Sequence, residues 1–157
     1  MDSTAAAGVS RIRTYLTSTL EKMGIEAEVE ERSLPDFSVP YFNIMTVDAR
    51  ILIGARARNL AALEYLVRRL VERGEPEAGR GFFLDVNGYR VRSLEELKVE
   101  AKAVARKVRL YRTELTMKPM TPFERRIIHI ALAEYPDITT QSIGEDPSRR
   151  VVVKPYP

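Results

Sequence analysis

The sequence predicts an α+β protein, an α-β-β-α-α-β unit followed by a smaller α/β unit, and three observations carry that prediction. Residues 25–30, Ile-Glu-Ala-Glu-Val-Glu, alternate apolar and acidic side chains at the period of a strand with one wet face. Helical periodicity lies on both sides of that strand, and Gly54 interrupts it on the far side. Further on, Thr121-Pro122-Phe123-Glu124 announces a separate helix: Thr121 can cap it, Pro122 fits the first helical position, and Glu124 closes a capping box.

The elements follow in order. Ser10 to Met23 is predicted helical, with Ile12, Tyr15, Leu16, Leu20 and Met23 inward and Gly24 as the residue that ends it. The Ile25 to Glu30 strand comes next, with its glutamates in water. Leu34 to Pro40 holds two prolines and an aspartate and reads as a turn, which makes Tyr41 to Val47 the second strand of an antiparallel hairpin. Asp48 caps a short helix through Ile53, the Gly54 to Ala57 loop breaks it, and Asn59 to Arg73 continues with Leu60, Leu63, Leu66, Val67, Leu70 and Val71 inward. Gly74 to Gly81 is a loop by composition, and Phe82 to Val86 is a third strand ending at an Asn-Gly turn signal. Leu94 to Arg112 is a long helix with Leu94, Leu97, Ala101, Val104, Ala105 and Val108 inward. Leu115 to Met117 forms a short strand, and Ile138 to Ser142 with Arg149 to Lys154 a hairpin. The expected division is 1–90 and 91–157, without a long linker.

Composition bounds the function. The chain is long enough for one domain or two small ones, and its 45% hydrophobic and 30% charged residues describe an ordinary globular protein. No apolar run reaches the ~20 residues that span a bilayer, and the first residues lack a signal-peptide core, so the cytoplasm is the expected location. Cysteine is absent, which removes disulfides, thiolate metal sites and cysteine nucleophiles. A lone histidine completes no His/Cys zinc site, and neither a Walker loop nor a nucleophile elbow nor a dinucleotide motif occurs, so no enzyme, metal or cofactor is expected. Residues 1–90 carry 12 Lys/Arg against 13 Asp/Glu and residues 91–157 carry 13 against 9, giving −1 and +4. Positive charge concentrates in the second half.

Arg125 and His129 stand four apart on the capped helix, about 40° from each other, opposite an expected core stripe of Phe123, Ile127, Ile130 and Ala131. Facing outward together, they could meet a phosphate and an unpaired base, or else form a surface ion pair and a packed imidazole. Arg126 points about 100° away as a second contact or a partner for an acid. Lys98, Lys102, Arg106 and Arg109, spaced by four, four and three, share one sector of the preceding helix with only Glu95 among them, either a nucleic-acid stripe or a solvated face. Arg149 and Arg150 add charge on opposite faces of the last strand.

The Arg-x-x-x-His pattern behind Met120-Thr121-Pro122-Phe123-Glu124 resembles the signature of the R-three-H domain, a small single-stranded nucleic-acid-binding module. Ser142-Ile143-Gly144-Glu145-Asp146-Pro147-Ser148-Arg149-Arg150-Val151-Val152-Val153 resembles the hairpin that ends this domain in the bacterial Jag family. Those proteins place a KH domain directly before it. The α-β-β-α-α-β order is that of a type II KH domain, and Gly54-Ala55-Arg56-Ala57 falls where the KH Gly-x-x-Gly loop clamps a backbone. Asn87-Gly88-Tyr89-Arg90 resembles the end of the KH segment; the extra N-terminal domain of many Jag proteins is not evident. Alanine replaces the second loop glycine, where positive φ is unfavourable, so Arg56 and Arg58 either compensate by touching phosphate or the loop serves as scaffold.

The resemblance implies a non-catalytic single-stranded RNA-binding protein, with single-stranded DNA the other ligand of that chemistry. It further implies post-transcriptional control linked to the cell envelope or division, and a second small KH protein as partner. The competing class is a protein-interaction adaptor with a degenerate KH loop.

Overall fold

The computed structural model describes residues 3–34, 39–74 and 81–156. The chain forms two compact units, Met1–Arg90 and Val91–Pro157. The first contains α1 (Ser3–Lys22), β1 (Glu28–Arg32), β2 (Tyr41–Met45), α2 (Ala49–Ile53), a 3-10 turn (Ala55–Ala57), α3 (Arg58–Gly74) and β3 (Phe83–Val86). The fold class is α+β, and the element order is the one expected. Strand β1 pairs antiparallel with β2, Glu28 opposite Met45, and β2 pairs parallel with β3, Tyr41 opposite Phe83. Parallel pairing requires a crossover, which α2 and α3 supply.

Ile12, Leu16 and Leu20 of α1 meet Leu60, Leu63, Val67 and Val71 of α3 in a core with Phe42, Ile44, Leu84 and Val86. Helix α1 starts earlier than expected because Ala5, Ala6 and Ala7 are strong helix formers that continue it toward the N-terminus. Leu66, expected inward, is 46% exposed, because the buried side of α3 centres on Leu60, Leu63 and Val67. Tyr15 and Met23 of the α1 stripe are likewise exposed. The turn expected from Leu34 to Pro40 falls at 35–38 outside the described residues, as does the loop at 75–80.

Helix α4 (Tyr89–Tyr111) begins five residues before the position read from the sequence, where the polar residues after β3 organise its start. Asp85 is fully buried, and its Oδ1 accepts from the amides of Val86 at 2.7 Å and Arg90 at 2.8 Å while Oδ2 accepts from the Tyr41 hydroxyl at 3.1 Å. Burial, then the neighbouring Asp85 charge, push the Tyr41 hydroxyl well above its ordinary pKa. Asn87 holds a left-handed φ of 47° and exchanges two bonds with the Thr46 backbone, and the Gly88 amide donates to Asn43 at 3.0 Å. The Asn-Gly pair therefore turns the chain from β3 directly into α4. Arg90 closes this end by an ion pair to Glu64 and by lying 5.3 Å over the Phe83 ring.

The second unit continues with β4 (Leu115–Pro119), α5 (Pro122–Leu132), β5 (Ile138–Ile143) and β6 (Arg150–Pro155). Its antiparallel sheet has the order β4-β6-β5. Leu97, Ala101, Ala105 and Val108 of α4 pack with Met117, Ile128, Leu132, Val151 and Val153. No helix among the described residues is long and apolar enough to cross a membrane.

Candidate nucleic-acid interface

Thr121 accepts the Glu124 amide at 3.3 Å, and the Glu124 carboxylate accepts the Thr121 amide at 2.7 Å, so the capping box fixes where α5 starts. The rotation that follows differs from the expected one. Ile127, Ile128 and Leu132 are buried, Ile130 is 54% exposed, and Arg125 is only 6% exposed. Arg125 faces inward because it spans the α5 start and the β5–β6 loop: its Nη1 donates to the Met120 carbonyl at 2.8 Å and to Asp146 Oδ1 at 3.0 Å. It is a tie between segments and is largely closed to solvent.

His129 is half-buried against β5, with Nδ1 2.6 Å from the Thr140 hydroxyl and Nε2 3.0 Å from the Ser142 hydroxyl. Burial first, and then the Arg125 charge, lower its pKa below the ordinary imidazole value. The ring is thus held neutral, one nitrogen accepting a hydroxyl proton while the other donates. The outward-facing Arg125/His129 pair expected from the sequence is corrected to an inward pair that fastens α5 to β5 and to the loop after it. Thr140, Ser142 and Asp146, which complete this cluster, were not singled out in the sequence, although the period-two spacing of Thr140 and Ser142 puts both hydroxyls on one strand face.

The basic stripe also changes character. Lys98 pairs with Glu95 at 2.9 Å, Lys102 with Glu134 at 3.1 Å and Arg109 with Asp137 at 2.5 Å, so two of its partners come from beyond α5 rather than from α4. The Arg109 hydrogen bond holds the Asp137 carboxyl below its usual range. Sequence periodicity shows acids on the same helix and hides those that the fold brings across. Arg106, on α4, and Arg126, on the exposed side of α5, keep no acidic partner among the described residues. Arg149 is half-buried with an unbonded Nε, and Arg150 donates to the Ser148 carbonyl at 3.1 Å.

In the loop between α2 and α3, Gly54 takes a φ of 66°, and Arg56 and Ala57 follow with 53° and 57°. Gly54 is required twice over, since a Cβ there would also lie 2.4 Å from the side chain of Asn59. Asn59 in turn donates to the Ile51 carbonyl at 2.8 Å and locks α3 against the end of α2. The alanine at the second glycine position has not abolished positive φ: Arg56 and Ala57 both adopt it, at a cost of about 1–2 kcal/mol each. Arg50, Arg56 and Arg58 surround the loop, exposed and without an acidic partner among the described residues.

Residues 95–155 match the R-three-H domain family. The chain is 40% identical over 111 residues to the RNA-binding protein KhpB of Clostridium symbiosum, covering 71% of this chain and 50% of that one. It is 33% identical over 141 residues to the RNA-binding protein KhpB of Lactiplantibacillus plantarum, covering 88% and 42%. Against the protein of that name from Bacillus subtilis it is 32% identical over 147 residues, covering 92% and 69%. The chain belongs to the KhpB, or Jag, family. Within this KhpB-family chain, Arg125, His129 and the hairpin after them lie inside the matched domain, whereas the Gly54–Ala57 loop lies outside it. The chain spans about half the length of the first two relatives.

Proposed function

We propose that the chain binds single-stranded RNA without transforming it, and that the Gly54–Ala57 loop and exposed cations of the second unit hold the phosphates. The observation that carries this is the loop itself. Two consecutive non-glycine residues in left-handed conformation are costly, and such strain persists where the surrounding structure enforces it and a site uses it. Here it presents Arg56 between Arg50 and Arg58, three cations unopposed by acids among the described residues. The family supports the ligand class, since its relatives carry the name RNA-binding protein. Single-stranded RNA is favoured over duplex because side chains cannot enter the narrow A-form major groove, while unstacked bases are open to contact.

On this reading Arg126 and Arg106 contribute phosphate contacts, Lys102 and Arg109 contribute through exposed pairs that a phosphate can displace, the half-buried Lys98 adds charge beside them, and Arg125 and His129 hold the framework. A second small KH protein is the partner the family resemblance implies, and cytoplasmic post-transcriptional control is the setting. Replacing Arg56 and Arg58 together by aspartate reverses two charges at the loop and should weaken binding of a short single-stranded RNA by about 2 kcal/mol or more, read by fluorescence anisotropy on the folded chain. Affinity equal to wild type would make the first unit a scaffold, with the second unit binding alone.

A further inference from the structure

The sheet of residues 91–157 has two faces, and helices of its own unit cover one of them. Met117, Ile138, Val151 and Val153 point into the core, and Thr140 and Ser142 on the same side reach His129. The register then fixes the opposite face. Thr116 and Gln141 lie on either side of Val152, Thr139 beside Lys154, and Ile143 beside Arg150, while β4 shifts register between Thr116 and Pro119 so that Pro119 also comes beside Arg150. Thr116, Thr139, Gln141 and Ile143 are exposed, Arg150 and Lys154 are half-buried, and none of these positions carries a carboxylate. Tyr156 continues the outward row of β6, 57% exposed, its amide donating to the Asp137 carbonyl at 2.9 Å.

An uncovered face on an antiparallel sheet is ordinary; its chemistry is what points to a ligand. Down the central strand run Arg150, Lys154 and Tyr156, two half-buried cations and an exposed aromatic ring, with Val152 between the cations only 2% exposed. Lys154 pairs with the exposed Glu114 at 3.5 Å, an ion pair that an RNA phosphate can replace. Thr139 and Gln141 offer hydroxyl and amide groups that can donate to or accept from base edges, and the exposed apolar surface of Ile143 and Tyr156 suits the faces of bases. Three strands make a platform about 10 Å wide, which fits one extended strand lying across it.

We infer that this outer face of β4, β6 and β5 is a base-binding platform, on which two or three unpaired bases lie while Arg150 and Lys154 hold the flanking phosphates. The inference rests on the RNA-binding reading and goes further by assigning the bases to a surface remote in register from the His129 side of the same strands. It gives the inward hydroxyls of β5 a structural task and the outward residues the recognition.

The test uses the full chain and a single-stranded uridine octamer. In a nitrogen-15 NMR titration, amides of residues 139, 141, 150, 152 and 154 should shift together and saturably. Thr139→Glu combined with Gln141→Glu places two acids on the platform and should lower affinity by roughly ten-fold or more, with an unchanged thermal transition. If wild type binds the octamer while those amides stay silent and the double variant binds as well as wild type, the platform is overturned and RNA binding stands. If wild type binds no octamer, the platform and the RNA-binding reading fall together. Should the double variant not fold, the wild-type shift pattern alone decides.

Discussion

Arg125 occupies a position on α5 that its neighbours Ile128 and Leu132 mark as interior, and it is tolerated there because both of its acceptors are built in. A buried guanidinium satisfied by a carbonyl and a carboxylate is a structural tie. Removing it leaves the Met120 carbonyl unbonded by this donor and opens a cavity, so Arg125→Ala should lower stability by about 1–3 kcal/mol in urea unfolding. Lost RNA affinity at unchanged stability would instead return Arg125 to the surface. His129 gives a second prediction at this scale. Its folded pKa lies below its unfolded value of about 6.5, so the unfolded state binds the proton first; its contribution is complete above about pH 6.5 and is lost as pH falls from there through the lower folded pKa. Wild type should therefore lose more thermal stability than His129→Gln between pH 7.5 and 5.5. Equal losses would contradict a neutral, half-buried ring.

The loop between α2 and α3 stands where the sequence places it, with a backbone conformation the sequence does not reveal. Sequence alone locates it, because a glycine interrupts two helical patterns, but it cannot say which backbone conformation an alanine will accept when the flanking helices enforce it. Since Ala57 already holds a φ of 57°, a glycine there relieves strain of about 1–2 kcal/mol while adding about 0.4–1 kcal/mol of unfolded-state entropy. Ala57→Gly should thus leave the unfolding midpoint unchanged or slightly higher; a loss above ~1 kcal/mol would contradict the left-handed loop. Helix α5 teaches the complementary lesson. Its start was legible to the residue, because capping is local chemistry between Thr121 and Glu124. Its rotation was not, because an amphipathic pattern treats every arginine as polar, and only the tertiary contacts with Met120 and Asp146 turn this one inward. The same limit applies to α4, where Leu94, Leu97, Ala101, Ala105 and Val108 were legible as the buried stripe while the acids Glu134 and Asp137, which meet its cations, came from a distant segment.

At the scale of the whole molecule, the order of helices and strands was readable because period-two and period-3.6 patterns alternate cleanly, and the parallel pairing of β2 with β3 was not, because nothing local encodes which strand a third one joins. The net charge of +3 understates how the cations are arranged: the loop arginines, Arg106 and Arg126 are free of acids among the described residues, whereas most of the α4 stripe is not. If these groups hold RNA by its backbone, binding must release counterions. Engaging roughly three to five phosphates gives a log-log slope of about −2 to −3.5 for affinity against salt, at ~0.7 per phosphate of a single strand. The affinity of the full chain for a short single-stranded RNA and for its duplex across a salt series decides whether these cations hold RNA: the single strand should bind more tightly and with that slope, and a slope near zero or equal affinity for the duplex would overturn backbone capture.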